Sequence, residues 1–401
     1  MTNPLIGKKI ILGVTGSIAA YKAADLASKF YQAGALVDVV LTQSAQHFIT
    51  PLSFQSVTSR KAYIDQDLWG GEGHVTHIAI GHSADLIVIA PASANTIAKL
   101  SAGIAENLLC LTVLAGKCPV LIAPAMDGGM YSNLITGENI ETLKKRGIYF
   151  IGPAEGHLAS GLYGLGRMVE PIAILGETRY IMGKSGRMTG KKVVVTAGGT
   201  QEPIDPVRVV TNRSSGRQGY AIAQAAIDEG ADTTLITTPV FLTPPAGCKI
   251  IQVKTADDML EAVLNETKDC DGLIMAAAVA DYKPDSAAQK IKKSVDGIVL
   301  ELKPTRDILK EVAKFKEKNK YPRWVIGFAA ESQDLISNAT QKLHNKNLDL
   351  IIANDISSST SGFSVETNQV ALIYPDGRVD QTPLLTKEEI AEIILDKVAS
   401  W

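Results

Sequence analysis

The sequence predicts an α/β protein: two doubly wound, Rossmann-like domains in tandem. Three observations predict it. Short continuous apolar runs, the pattern of strands covered on both faces, alternate with stretches of helical periodicity. Each half opens with such a run ending in a glycine turn, Ile10–Gly16 and Val193–Gly199. Between the halves lies Gly183–Gly190 (GKSGRMTG), small and basic with no apolar periodicity. The expected domains are therefore 1–182 and 191–401, with 183–190 as linker.

In the first half, Ile10–Val14 is a strand candidate, and Ile18–Tyr31 has helical periodicity before Gly34. Leu36–Leu41, Leu86–Ala90 and Val120–Ala123 are further strands, and Ser93 is placed to cap a helix over Ala94–Leu100. Two stretches break the rhythm: Ser53–Gly73, a connecting region with several aromatics, and Gly152–Gly166, a glycine-rich segment expected to be a mobile flap. In the second half the strand candidates are Val193–Val195, Leu235–Thr237, Ile250–Val253, Leu273–Ala277, Trp324–Phe328 and Leu350–Ala353. Tyr220–Ala226 is helical. Thr255 with Asp258, and Thr386 with Glu389, have capping-box spacing. Gln369–Ile373 and the turn Pro375–Asp376–Gly377 suggest a closing hairpin.

The 401 residues suffice for two full cores. A formal net charge of −2 gives no electrostatic case for nucleic acid or an anionic membrane surface. No apolar run approaches membrane-spanning length, and the apolar run near the start is short and ends in a glycine turn. A cytoplasmic protein is expected. Cys110, Cys118, Cys248 and Cys270 are scattered and form no disulfide or zinc framework. His74, His77 and His82 lie close together, but no Cys or well-placed carboxylate completes a metal site around His74 and His77. Metal ligands are left unassigned.

Gly13–Val14–Thr15–Gly16 lacks the third glycine and the ribose-binding acid of the dinucleotide fingerprint, and no Tyr-x-x-x-Lys pair sits in the context a nicotinamide oxidoreductase requires. Two longer patterns are more specific. VVVTAGGTQEPIDPVRVVTNRSSGRQGY (193–220) places a strand, a glycine turn and a helix start together, an arrangement that gathers N–H groups around an anion. With AAAVADYKP (276–284), KIKK (290–293), GFAAE (327–331) and Lys342-x-x-x-Lys346, it resembles phosphopantothenate–cysteine ligases. VTGSIAAYK (14–22), HIAIGHSADLIVIAPASANTIAKLSAGIAENLL (77–109) and PAMDGGMY (124–131) resemble flavin-dependent cysteine decarboxylases. The chain is thus similar to bifunctional coenzyme A biosynthesis proteins. A flavodoxin-type topology is expected first and a dinucleotide-fold-like one second.

The resemblance implies a flavin (FMN) bound by Gly16, Ser17, Thr42, Ser44, Ser93, Asn95, Thr96 and Met126. It implies His77 as the catalytic histidine, moving a proton at the substrate thiol or carboxylate. Oxidation of the cysteine side chain by the flavin then makes loss of CO₂ easy, and reduction follows. Two positions depart from the family. Asp127 stands where Asn is common. Ionised, it would repel a substrate carboxylate, so it must be protonated, paired with a cation, or bind another edge of the substrate. Ser160 in ASGLYGLGRM stands where some members carry a proton-donating cysteine. Serine is too weak an acid for that role, and Tyr163 is a replacement candidate.

In the ligase half, the resemblance implies that CTP activates the carboxylate of 4′-phosphopantothenate as an acyl-cytidylate. Lys290 supports that step and Asn212 binds the acyl group, which the cysteine amine then takes. Met275, Ala276, Ala277, Arg306, Asp307, Ile308, Leu309 and Phe328 would contact the nucleotide. Mg²⁺ would bridge its triphosphate near Asp281, and Lys342 with Lys346 would clamp it. The product, 4′-phosphopantothenoylcysteine, passes to the first half and becomes 4′-phosphopantetheine. A homo-oligomer is implied, trimeric decarboxylase units joined by dimeric ligase units. Two lesser outcomes stay open for the first half: a flavin-binding unit that decarboxylates weakly or not at all, or one that stops at the unsaturated enethiol.

Overall fold

The chain begins with β1 (Lys9–Val14), α1 (Ala20–Gln32), β2 (Leu36–Leu41), α2 (Pro51–Thr58), β3 (Ala62–Tyr63), α3 (Thr76–Ser83), β4 (Leu86–Ala92), α4 (Ala94–Ala102), α5 (Leu108–Ala115), β5 (Val120–Pro124), α6 (Gly128–Tyr131), α7 (Leu134–Lys145) and β6 (Tyr149–Phe150). β1 and β2 bury all but their first residue, and β4 and β5 bury every residue, as strands covered on both faces must. The sheet is parallel, in the order β3-β2-β1-β4-β5-β6. Without the two-residue edge strand β3, this is the flavodoxin-type order. Alternation along β1 splits the core. Ile10, Leu12 and Val14 pack with Ala23, Leu26, Ala27 and Phe30 of α1, while Ile11 packs with Ile97, Leu109 and Leu143 from the opposite face.

This computed structural model describes residues 3–69, 75–293, 298–331, 333–355 and 367–401. The chain divides into two units, residues 3–182 and 183–401. His74 lies outside the described residues, as do residues 70–73 of the aromatic connecting region. The rest of that region contains α2 and β3, and its Phe54 is fully buried. Gly152–Gly166, expected to be a mobile flap, contains an antiparallel hairpin of β7 (Ala154–His157) and β8 (Tyr163–Arg167). Gly166 serves close approach: a Cβ on it would lie 2.2 Å from the Met126 carbonyl oxygen. The unit ends with α8 (Pro171–Gly183).

The second unit runs β9 (Lys192–Ala197), β10 (Gln201–Pro203), β11 (Val209–Thr211), α9 (Arg217–Asp228), β12 (Asp232–Thr237), β13 (Lys249–Gln252), α10 (Ala256–Glu266), β14 (Gly272–Met275), β15 (Tyr282–Pro284), β16 (Leu302–Pro304), α11 (Ile308–Asn319), β17 (Trp324–Glu331), α12 (Leu335–Asn345), β18 (Leu350–Asp355), β19 (Thr367–Asn368), β20 (Val370–Ile373), β21 (Val379–Gln381), β22 (Leu385–Thr386) and α13 (Lys387–Val398). The order β13-β12-β9-β14-β17-β18 is parallel and of the dinucleotide-binding type. The antiparallel β20-β21 hairpin extends its edge. Val193, Val195 and Ala197 face α9 and α13, and Val194 faces α10, α11 and α12. Both capping boxes form, at Thr255–Asp258 and Thr386–Glu389.

The stretch 183–190, expected as a linker, packs on the second unit. Met188 is fully buried in the second unit's core. Arg187 makes a two-pronged bond to Glu229, at 2.9 and 2.6 Å, and a third to Asp396. Its small residues permit contact rather than slack. A Cβ on Gly186 would fall 2.3 Å from the Glu229 backbone.

Candidate functional site

Each unit carries a cavity at the carboxyl ends of its strands, where open α/β sheets leave room for ligands. The first, about 990 Å³, draws Gly16 and Ser17 from the turn after β1, and Thr42 and Ser44 from the turn after β2. Ser93, Asn95 and Thr96 come from the β4–α4 turn, Met126 and Asp127 from the turn after β5, and Ser160 from the hairpin. All eight residues expected to hold the flavin line this one space.

Local chemistry explains the convergence. Buried Thr15 donates to the Pro91 carbonyl and accepts from Ser93 N–H, both at 2.8 Å, tying two turns together. Ser93 is an N-cap, accepting from Thr96 N–H at 3.3 Å, so it is both structural and cavity-lining. Gly16 is forced, since a Cβ there would lie 2.5 Å from that of Ser44. The N-cap of α1, Ala19, makes no side-chain cap. Ala20 N–H and Lys22 N–H bond back to the carbonyls of Ser17 and Ala19, so hydroxyls and Lys22 line the cavity here, a set that fits the phosphate and ring edges of FMN. Lys22 is buried, and its Nζ donates to Glu170 at 2.7 Å. Sequence reading quoted this lysine in its motif without giving it a role. The signal was its place one turn into the helix after the glycine turn.

Asp127 and Ser160, the two departures from the family, touch each other. Ser160 Oγ donates to Asp127 Oδ2 at 2.6 Å, and Gly129 N–H donates to Oδ1 at 2.9 Å. These bonds, Ser160's first, hold the Asp127 carboxyl below the usual aspartate range. Asp127 caps α6 and anchors the hairpin, and of the three states left open for it these bonds favour the anion. His77, on α3, does not line the cavity, and its Nδ1 is buried without a hydrogen-bond partner. Tyr163 does not line it either. It packs edge-on against His157, which does, with ring centroids 5.3 Å apart. None of the four cysteines lines the cavity, and burial pushes Cys110 up to about 11 and Cys248 and Cys270 up to about 12. Among the described residues no group of three or more His, Cys, Asp or Glu is placed to hold a metal ion.

The second cavity, about 690 Å³, is lined by Asn212, Met275, Ala276, Ala277, Asp281, Arg306, Asp307, Ile308, Leu309, Phe328, Lys342 and Lys346. The glycine turn organises it. Gly198 has φ +86°, and Gly199 bridges to Ala278. Ala280 N–H donates to Thr200 Oγ1 at 2.9 Å, and Asn212 Nδ2 donates to the carbonyls of Ala278 and Val279 at 3.2 Å. Lys342 pairs with Glu331 at 2.5 Å and Lys346 with Asp307 at 3.2 Å. Asp307 also caps α11, accepting from Lys310 N–H. Lys290 lies exposed, outside the lining. Its loop docks on the EPIDPVR segment, where buried Asp205 accepts from Ile291 N–H at 3.1 Å. Arg213, Arg217 and Lys387 complete the lining.

Comparison with known proteins follows the same division. Residues 2–180 match the Flavoprotein family, and residues 188–401 match the DNA/pantothenate metabolism flavoprotein C-terminal domain family. The coenzyme A biosynthesis bifunctional protein CoaBC of Bacillus subtilis (strain 168) is 44% identical over 400 residues, covering 99% of this chain and 98% of that protein. The protein of the same name from Escherichia coli (strain K12) is 40% identical over 401 residues, covering 99% and 98%. A crystal structure of the C-terminal domain of a CoaBC protein is 41% identical, covering 54% of this chain and 97% of that one, with a TM-score of 0.46.

Proposed function

The chain belongs to the family of bifunctional coenzyme A biosynthesis proteins, and from that premise we propose how its two cavities divide the work. It is a bifunctional enzyme, a ligase in the second unit and a decarboxylase in the first. The second unit joins 4′-phosphopantothenate to cysteine at the expense of CTP. The first decarboxylates the resulting 4′-phosphopantothenoylcysteine to 4′-phosphopantetheine with FMN. The observation that carries this reading is the sorting of residues: every side chain expected at the flavin lines one cavity, and every one expected at the nucleotide, save Lys290, lines the other.

FMN, when bound, supplies the hydride chemistry. The chain's own residues do the rest in that unit. Ser17 and the first turn of α1 hold the phosphate, and Ser93, Asn95 and Thr96 hold ring edges. The hairpin residues from His157 to Ser160 shield the cavity from water. His77 moves the substrate proton. Since it lies outside the cavity of its own chain, a neighbouring copy in a trimer supplies it. In the ligase unit, Asn212 orients the activated acyl group. Lys342 and Lys346 neutralise the triphosphate, and Asp281 would stand near a Mg²⁺ accompanying it, which would supply further charge neutralisation. Lys290 reaches the nucleotide from the partner copy of a dimer. No helix among the described residues is long and apolar enough to cross a membrane.

Incubation with phosphopantothenate, cysteine and either CTP or ATP, with mass detection, tests the scheme. The expected result is phosphopantothenoylcysteine and then phosphopantetheine, with CTP preferred. No acylcysteine with either nucleotide overturns the ligase assignment. Acylcysteine that accumulates beside a flavin-loaded protein overturns the decarboxylase assignment.

A further inference from the structure

The two faces of the second unit's sheet bring different chemistry to its cavity. Arg306, Lys342 and Lys346 come from the face covered by α10, α11 and α12, and each pairs with a carboxylate, Asp257, Glu331 and Asp307 respectively. The other face, covered by α9 and α13, brings neutral amides. Leu350 and Ile352 of β18 pack under those helices, so alternation puts Asn354 on the same face at the carboxyl end of the strand. Val370 packs there too and lies opposite Asn354, and Asn368 is two residues before it. Both asparagines line the cavity.

Asn354 is 8% exposed and Asn368 is 4% exposed, yet neither amide is satisfied. The Asn354 side chain makes no hydrogen bond among the described residues. Asn368 Oδ1 accepts from Gln369 N–H at 3.0 Å, which fixes its orientation and leaves Nδ2 as a donor without an acceptor among the described residues. Buried polar side chains ordinarily have partners, so two open amides in one wall of a cavity point to a ligand that supplies them. An amide donates and accepts without charge. It suits a neutral polar edge better than a phosphate or a carboxylate. Beside the amides is room for a flat ring. Asn354 is opposite Ala330 on β17, and Phe328 precedes Ala330 on the same face. Both line the cavity. The small Ala330 leaves an open step between an aromatic platform and the amide, and a heterocycle stacked on that platform turns its edge to Asn354.

We propose that Asn354 and Asn368 read the nucleobase in the ligase cavity. They are specificity-determining residues that hydrogen-bond the amine and carbonyl edge of a pyrimidine held against Phe328. This rests on the ligase reading above. The sheet order supports the same direction: Asn212, which orients the acyl group, bonds to the carbonyls that follow β14, and β17 and then β18 succeed β14 in the sheet. The acyl end of the activated intermediate lies toward β14 and its base toward β18.

The test uses the full-length protein. CTP and inorganic triphosphate, which has the nucleotide's charge without its base, are titrated by calorimetry, and the KM for CTP and for phosphopantothenate are measured separately. Asn354→Leu, close in size and unable to hydrogen-bond, is expected to weaken CTP about tenfold, the effect of losing one or two neutral hydrogen bonds, and to leave inorganic triphosphate unchanged. The KM for CTP should rise by a similar factor and that for phosphopantothenate should not. Asn368→Ala should show the same pattern with a smaller loss. Equal losses for CTP and inorganic triphosphate, as a purely structural role requires, overturn the proposal. So does a rise confined to the phosphopantothenate KM, or an unchanged CTP affinity in a folded Asn354→Leu. If that variant does not fold, Asn368→Ala is read by the same criteria. Absence of acylcysteine with the wild type would sink the ligase reading, while the two titrations would still decide this base site.

Discussion

Asp127 shows how one residue's environment can reverse the reading of its chemistry. In the sequence it stands as an acid where a substrate carboxylate is expected, which suggests a neutral form. In the fold its two oxygens accept from Ser160 and Gly129, and these bonds favour the anion. A depressed folded pKa means that this contribution is present above the unfolded aspartate range and is lost as pH falls through the folded value. Carbon NMR of the Asp127 carboxyl should therefore show titration below the ordinary aspartate range, and Ser160→Ala should move it upward. An unmoved titration would mean that Ser160 does not hold the carboxylate. Because Ser160's proton is committed to Asp127, Ser160→Cys should raise the share of saturated thiol over enethiol in the first unit's product by several-fold. Mass analysis checks it. An unchanged ratio would send the search for the proton donor to Tyr163, through Tyr163→Phe. The hydroxyl and amide residues of this cavity were legible through the family resemblance of the motifs that carry them, since caps such as Thr42 and Ser93 also have a purely structural use. Lys387 was not, because its signal is burial, which a lysine opening an amphipathic helix does not advertise.

At the scale of the element, caps and close contacts fix where helices start against the sheet. Thr386 caps α13 through a complete box and so sets the position of Lys387. Thr386→Ala should cost about 1 kcal/mol in urea unfolding, with Thr386→Ser recovering most of it. If the ligase KM values stay put as stability falls, the cap is structural only. Gly219 has no such latitude. A Cβ there would sit 2.6 Å from Ala197 Cβ and 2.7 Å from the Thr196 carbonyl, both part of a buried strand. Gly219→Ala should cost about 1–3 kcal/mol and push α9 away from β9, weakening nucleotide binding. A neutral melting temperature would refute that contact. These features were visible in the sequence because capping boxes and continuous apolar strands are local patterns. The two-residue strands β3 and β6 were not visible, since pairing to a neighbour rather than any periodicity makes them strands. The hairpin of β7 and β8 was hidden by glycines that read as looseness, one of which, Gly166, serves tight packing.

At the scale of the whole molecule, two parallel sheets each place a ligand cavity where strand order reverses, one lined by hydroxyls and the other by cations. The chain's domains have their own cores, so the boundary between them decides what each core includes. Composition put residues 183–190 outside both. The structure seats Met188 in the second core and gives the buried carboxylate of Glu229 its two-pronged partner in Arg187. Removing Arg187 leaves that carboxylate without its guanidinium, and removing Met188 opens a hole in a close-packed core. A C-terminal piece beginning at Gly183 should therefore melt at a higher temperature than one beginning at Lys191. In the full-length protein Met188→Ala should cost about 2–5 kcal/mol in the unfolding transition of the second unit. Equal melting temperatures for the two pieces, with a neutral Met188→Ala, would return the segment to the status of a tether, and the second core would then close without it.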